Sequence, residues 1–283
     1  MKPATIFVLI SLALASLACT ITIPTPKTVE TVEPQTFTIN EAAPKDNQTT
    51  RVTINMGAGK LEMTSGGKGL IEGTVRYNLP LWEPKVERSG DTLTLSQEVK
   101  LENQIPTRNL INEWKLKLGN SPMDLTLNAG AYEGKLDLGG VPLTRLSISD
   151  GASSADVDFS KPNPEKMTLF IYKTGASTIK LTNLADANFS EMVFEGGAGT
   201  YTLDFGGTLK QDTRVKVSAG VSTLKIVVPA DANCEVTLSG GLNSVDTTGE
   251  WSLSGKTYTS GGSGKKITIS LDMGVGSLEL VRK

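Results

Sequence analysis

Eight copies of one short frame run through this chain, each centred on a glycine: apolar, any, apolar, two spacers, Gly, then a small or aliphatic residue. The glycines are Gly57, Gly130, Gly151, Gly175, Gly197, Gly220, Gly241 and Gly274. Five residues before them stand Val52, Leu125, Leu146, Phe170, Met192, Val215, Val236 and Ile269. Three before stand Ile54, Leu127, Ile148, Tyr172, Phe194, Val217, Leu238 and Leu271. Directly after come Ala58, Ala131, Ala152, Ala176, Ala198, Val221, Leu242 and Val275. Six after come Met63, Leu136, Val157, Leu181, Leu203, Ile226 and Leu280, with Thr247 the polar exception. A fixed frame of this kind marks a repeat architecture, whose units cannot bury their apolar faces alone.

Within each copy the apolar residues alternate with period two, so one side of an extended segment faces a core. They are mostly Val, Ile, Leu and Phe, types that suit a pleated, half-buried surface. Each copy therefore reads as strand, glycine corner, strand. From Gly130 to Gly241 the glycines are 21, 24, 22, 23 and 21 residues apart. That near-constant spacing favours an all-β fold, a β-solenoid of about eight repeats, with each coil laid over the previous one. An antiparallel β-meander is the competing architecture, although only Asp150-Gly151 offers hairpin-type turn chemistry at a corner. The corner glycine has two candidate roles: a positive φ, or close approach of stacked backbones where a Cβ is missing. The small residue after it suggests cramped space there too.

Two spacings break the rhythm. Gly57 and Gly130 are 73 residues apart, which sets off residues 51–122 as an amino-terminal section or cap before the repeats of 123–283. Segments 85–101 and 112–118 within it still read as strands. Gly241 and Gly274 are 33 residues apart, and the excess is expected as a loop around Ser254 to Gly264.

The first 18 residues read as a secretory signal: Lys2, then an apolar run from Ala4 to Leu17. Leu14-Ala15-Ser16-Leu17-Ala18-Cys19 resembles the bacterial lipoprotein processing box, in which Cys19 carries the lipid and becomes the mature amino terminus. Ordinary cleavage after Ala18 is the alternative. Residues 19–50, with Pro24, Pro26, Pro34 and Pro44, read as a stiff spacer or tail. The expected address is the outer face of the cell membrane or the cell surface. Net charge is −2 for the whole chain, so no basic surface for nucleic acid is indicated.

The 283 residues contain no histidine, which removes Ser-His-Asp and Cys-His nucleophile systems and histidine-ligated metal sites. Cys19 and Cys234 are the two cysteines. Cys234 precedes Val236 and Leu238 with period two and is expected in the core. Asp156 and Asp158 share a strand face, with Asp137 and Asp204 at corresponding places; an outer solvated face is the expectation for all four. Gly196-Gly197-Ala198-Gly199 is near a calcium-binding glycine repeat, but Tyr201 occupies the place of its Asp. The pairs Gly66-Gly67, Gly139-Gly140, Gly206-Gly207 and Gly261-Gly262 lack the Lys-Ser/Thr of a phosphate loop and read as turns. Arg51, Arg76, Arg88, Arg108, Arg145, Arg214 and Arg282 do not cluster with acids at a repeated offset. No catalytic residue, metal site or cofactor is therefore assigned, and the chain is not expected to be an enzyme. Trp114 alternates with Leu116 and Leu118 and is expected inward; Trp82, between prolines, is the candidate exposed contact.

Glu113-Trp114-Lys115-Leu116, followed by Leu125-Thr126-Leu127-Asn128-Ala129-Gly130-Ala131 and the repeated Gly-Ala frame, is similar to the bacterial toast-rack domain proteins. These include the LiaF-like cell-wall-active-antibiotic response proteins and adhesin-type domains of unknown function. The resemblance covers roughly residues 50 to 283. It implies a right-handed solenoid of short strands and a role in the cell envelope. The resulting expectation is a surface-anchored envelope lipoprotein, a non-enzymatic structural or adhesion module that meets the membrane through its lipid and an envelope polymer or protein through its flank. The alternatives are a regulatory partner of an envelope-stress sensor and, more remotely, a polysaccharide-active solenoid enzyme. Replacing Cys19 by Ser should release the protein from the membrane into the medium, as read by fractionation; retention of that variant would exclude the anchor.

Overall fold

The structure, a computed structural model, describes residues 27–98, 104–106, 110–241 and 244–283. Cys19, the signal segment, Arg108 and Leu242 lie outside the described residues. The amino-terminal strands are β1 (Lys27–Val29), β2 (Gln35–Glu41), β3 (Thr50–Ser65), β4 (Ile71–Tyr77), β5 (Lys85–Ser89), β6 (Thr92–Ser96), β7 (Gln104–Pro106) and β8 (Asn112–Leu118). Then come the long strands β9 (Met123–Asp137), β10 (Leu143–Asp158), β11 (Met167–Thr182), β12 (Phe189–Asp204) and β13 (Thr213–Val228). The chain closes with β14 (Asn233–Gly240), β15 (Ser244–Thr248), β16 (Ser252–Ser254), β17 (Thr257–Gly261) and β18 (Lys266–Arg282).

From β3 through β9 to β13 and on to β18, every neighbouring pair is parallel and in register. The meander is excluded, and the fold is an all-β solenoid. Register joins the repeated positions into columns. Val52, Leu125, Leu146, Phe170, Met192, Val215, Ile269 and Val236 form one; Met63, Leu136, Val157, Leu181, Leu203, Ile226, Leu280 and Thr247 form another. The apolar members of both columns are buried. The return loops stack as well: the amides of Leu138, Phe159, Leu184 and Phe205 each donate to a carbonyl of the next coil, with all four side chains in the core.

The eight glycines form a single column, and its geometry decides between their two candidate roles. None of the eight has a positive φ. A Cβ built on Gly130, Gly151, Gly175, Gly197, Gly220, Gly274 or Gly241 would instead lie 2.3–2.9 Å from the carbonyl oxygen of the neighbouring corner glycine. Close backbone approach is the reason for glycine here. The expectation of crowding at the following residue is overturned. Ala131, Ala152, Ala176, Ala198, Val221 and Val275 are exposed, Val221 by 64%. The in-out alternation skips one step at the bend, so the glycine and its successor both avoid the core.

The two irregular spacings have different outcomes. β3 packs directly on β9, so Gly57 and Gly130 are neighbours in space despite the insertion. The insertion builds a further coil outside β3, split in two: Leu93 and Leu95 of β6 lie against Val52 and Ile54, and Trp114 and Leu116 of β8 against Leu61 and Met63. Where other coils have a glycine corner, this one has a buried amide network. Gln97 Nε2 donates to the Trp82 carbonyl and to Asn112 Oδ1 at 3.0 Å, Asn112 Nδ2 to the Ala58 carbonyl at 2.8 Å, and Trp114 Nε1 to Asn112 Oδ1 at 3.1 Å. β4 and β2 then close this end in antiparallel fashion, with β5 doing so against β6. β2 falls inside the stretch read as a spacer; Ile39 alternates inward there and is 2% exposed, which makes that part of the stretch a strand.

At the other end the order of coils departs from the order of the chain. β14 and β15 do not follow β13 in space; β18 inserts between them. The expected loop from Ser254 to Gly264 is largely a hairpin of β16 and β17, with β17 antiparallel along β14. Antiparallel strands thus cover coil edges at both ends, limiting the unpaired backbone a solenoid would otherwise present.

If stacked carbonyls exclude a Cβ, Gly175→Ala should lower unfolding free energy by about 1–3 kcal/mol. Gly261→Ala, where an added Cβ meets nothing within 4 Å, should change it by less than about 0.5 kcal/mol. Urea unfolding of both variants checks the pair; equal losses would refute the stacking argument.

Candidate interaction surface

A shallow trough of about 770 Å³ runs along the glycine corners of the middle coils. Its floor is backbone, because Gly175, Gly197, Gly220 and Gly274 have no side chains to raise it. Lys173, Glu195, Ser218 and Asp272, each two residues before a corner glycine, line one wall. Lys173 Nζ and Glu195 Oε2 pair across adjacent coils at 2.9 Å. Similar cross-coil pairs are Lys60–Glu133, Lys115–Glu62 and Lys225–Glu279, all substantially exposed. Each contributes little, roughly 0.2–1 kcal/mol. Their main consequence is an outer face of mixed charge.

Asp150 also borders the trough, yet its carboxylate is engaged with the interior. It sits one residue before Gly151, at an inward position that other coils fill with Met56, Ala129, Ala219 or Met273. A polar group there needs partners. The next coil supplies them. Tyr172 OH donates to Asp150 Oδ2 at 3.0 Å, Thr174 Oγ1 donates to Asp150 Oδ1, and Ser177 Oγ donates to Oδ1 at 3.4 Å. Burial pushes the Tyr172 phenol far up, and the neighbouring Tyr132 and Asp150 add to the shift. Tyr172 therefore stays a donor throughout the ordinary pH range. Tyr172 stacks on Phe194 at 5.8 Å, and Phe194 meets Tyr201 edge-on at 5.0 Å. The cluster is a locked structural network, with the carboxylate taken up by internal hydroxyls. It was detectable in the sequence as a polar residue at an inward position with Thr174 one coil away.

The other singled-out residues are dispersed. Asp137 Oδ1 accepts the Gly139 amide at 2.9 Å, Asp204 Oδ1 accepts the Gly206 amide at 2.9 Å, and Asp158 Oδ1 accepts Asn183 Nδ2 at 2.7 Å. Asp137 and Asp204 cap the turns that leave their own strands, Asp158 instead holds the turn of the adjacent coil, and Asp156 is exposed. Gly196 to Gly199 form the corner of β12, and no group of potential metal ligands occurs among the described residues. Gly66-Gly67, Gly139-Gly140 and Gly206-Gly207 lie between strands, and Gly261 ends β17. Arg76 pairs with Glu113 and Arg88 with Glu41 in the amino-terminal section, and Arg214 with Glu191 between β13 and β12. Trp114 is fully buried as expected. Trp82 is not the exposed contact: it closes a short turn after Pro80 and is 3% exposed, its carbonyl held by Gln97. Cys234 is buried, and desolvation first, then Glu235, pushes its thiol up to about 12 against the opposing pull of Lys266. It is an inert core side chain.

The model of the N-terminal domain of toast_rack, DUF2154, matches residues 26–172, just over half of the chain. The chain belongs to the toast-rack family. No curated protein matches it significantly. Among solved structures, a "putative cell adhesion protein" from Clostridium sporogenes is 20% identical with a TM-score of 0.53, covering 89% of this chain and 100% of its own. A "putative lipid binding protein" from Parabacteroides distasonis is 14% identical with a TM-score of 0.42, covering 89% of this chain and 99% of its own. At these identities the first likeness concerns the fold alone. No helix among the described residues is long and apolar enough to cross a membrane.

Asp150→Ala should lower unfolding free energy by about 1–3 kcal/mol, because buried hydroxyls lose their acceptor. Lys173→Ala, which removes only an exposed pair, should change it by less than about 0.5 kcal/mol. Thermal or urea unfolding distinguishes this structural role from one in which Asp150 serves a ligand and its loss leaves stability untouched.

Proposed function

We propose that this toast-rack protein is exported, anchored at the cell surface through Cys19, and works as a non-enzymatic adhesion-type module that binds a repeating cell-envelope polymer. The observation that carries the reading is the repetition of the outer surface. Along the stack, equivalent outward positions recur at about 4.8 Å, the spacing between neighbouring strands. The column two residues before the corner reads Asn55, Asn128, Ser149, Lys173, Glu195, Ser218, Asp272 and Ser239. Small hydroxyls, amides and balanced charges at regular intervals offer many weak contacts in line, which suits a partner that is itself periodic. The trough beside them is open and floored by backbone, a shape for lying along and not for enclosing a reacting group. The secretory start of the sequence and the adhesion label carried by the Clostridium sporogenes protein of similar fold support the same reading.

The regulatory alternative calls for one specific protein interface, and binding measurements separate the two. With the full chain immobilised, affinity for isolated envelope polymer should rise with polymer length and fall with salt. Length-independent binding, together with one-to-one recovery of a single sensor kinase from stressed cells, would replace this reading with the regulatory one.

A further inference from the structure

We infer that the tip of the amino-terminal cap is a membrane-contact surface, whose exposed aliphatic side chains enter the headgroup–acyl boundary of the lipid layer that holds Cys19. Six large apolar side chains are exposed among the described residues. Three of them, Val32 (37%), Leu81 (39%) and Leu110 (38%), come together at one end of the cap. Antiparallel pairing explains the convergence. Gln35 of β2, Tyr77 of β4 and Asn112 of β8 stand side by side at the same end of their ladder. Beyond that end the pairing continues for one more step. The Val32 amide donates to the Asn78 carbonyl at 2.8 Å, and the Asn78 amide to the Ile111 carbonyl at 3.1 Å. Leu110 precedes Ile111, and the short turn Pro80–Trp82 follows Asn78. Within it Leu79 and Trp82 are buried while Pro80 and Leu81 are turned out. Three separate segments thus present Val32, Leu81 and Leu110 on a packed base.

Two observations select a lipid layer as the occupant. The first is where the chain enters the fold. β1 begins at Lys27, eight residues after Cys19, a span of at most about 29 Å when fully extended. Val32 follows shortly after β1, so this tip belongs to the part of the folded body that the anchor reaches first. A weak apolar contact held so close to a surface acts at high effective concentration. The second observation is polarity. Besides the bonds above, the Ile111 amide donates to Asn78 Oδ1 at 2.8 Å, the Trp82 amide to the Leu79 carbonyl at 2.8 Å and the Glu83 amide to the Pro80 carbonyl at 3.2 Å. Pro80 has no amide to strand. Approach to an apolar boundary therefore leaves none of these backbone donors unpaired. The nearest acids, Glu33 and Glu83, are exposed. They remain at headgroup level, which limits entry to the aliphatic ends and gives no attraction to anionic lipid. The other exposed large apolar residues lie elsewhere: Val221 and Val275 along the corners, and Leu253 at the end of the sheet opposite β2. With the cap against the bilayer, the β16 end stands farthest from it. The inference rests on the anchorage proposed for Cys19 and deepens it by naming the face that the folded body turns to the lipid.

The test couples the mature chain, from Cys19 onward, through that thiol to a maleimide lipid in phosphatidylcholine vesicles. Cys234 is buried with its thiol pushed up and does not compete for the label. Tryptophan reporters are then read by quenching with brominated acyl chains, each against the parent chain. Leu81→Trp should be quenched at least about twofold more than Leu253→Trp, because only the first reaches the boundary. The difference should persist in high salt, since no ion pair holds the contact. Adding Val32→Asp or Leu110→Asp to Leu81→Trp should return quenching to the level of Leu253→Trp, with circular dichroism unchanged because both sites are exposed. Equal quenching at the two reporters, its loss in high salt, or its persistence in both Asp variants would each overturn the inference. The lipid is supplied chemically, so these outcomes are separate from the release of Cys19→Ser, which reports on the natural anchor alone.

Discussion

The whole stack depends on how closely one coil can approach the next at its bend. Parallel strands about 4.8 Å apart leave no room for a Cβ that points along the stacking axis. At the corners, that direction leads to the neighbouring carbonyl oxygen, 2.3 Å from a Cβ built on Gly175 and 2.5 Å from one on Gly197. Glycine presents a hydrogen there, making the contact a tolerable Cα–H to oxygen approach. Only when the corners close in this way do the strands on both sides keep register, and only in register do the apolar columns join into one interior.

Register in turn explains where polar groups can be buried. In a solenoid a side chain meets the same position one coil above and below, so a misplaced polar residue finds help only in its own column or one nearby. Asp150 shows the rule: its partners Tyr172, Thr174 and Ser177 all belong to the adjacent coil. The amide network of Gln97, Asn112 and Trp114 shows what replaces a glycine corner when a coil is interrupted. There the coil is split between β6 and β8, and the Asn112 side-chain amide, held by Gln97 and Trp114, satisfies the Ala58 carbonyl of the neighbouring coil.

The same geometry shapes the outside. Because the residues after six of the corner glycines are turned out, a line of exposed Ala and Val from Ala131 to Val275 follows the corners, flanked by alternating charge and hydroxyls. This surface has length and periodicity but little depth. Its carboxylates are spread among turn amides, internal hydroxyls and exposed cross-coil lysine pairs, which is chemistry suited to contact and to structure. The two ends differ from the middle and from each other, since the amino-terminal β5 edge is charged while the β16 edge is an uncharged tripeptide beside an apolar hollow.

Period-two alternation and the glycine frame were enough to identify strands, corners and inward positions, because those depend on local geometry and on which side chains tolerate burial. The inward placement of Trp114 and Cys234 followed from the same alternation. Trp82 did not: a proline-flanked segment carries no period, and only packing against the split coil buried it. The chain likewise could not announce the exchange of the last two coils. Gly220 and Gly241 are 21 residues apart, an ordinary coil, yet Gly274 lies between them in space. Spacing measures distance along the backbone, whereas neighbours are chosen by which edge remains open when the final strand arrives. β18 is a continuous strand of 17 residues with apolar residues in both columns, whereas β14 and β15 are shorter and interrupted. The longer ladder occupies the interior place, where both of its edges are paired, and the broken one is left for the end.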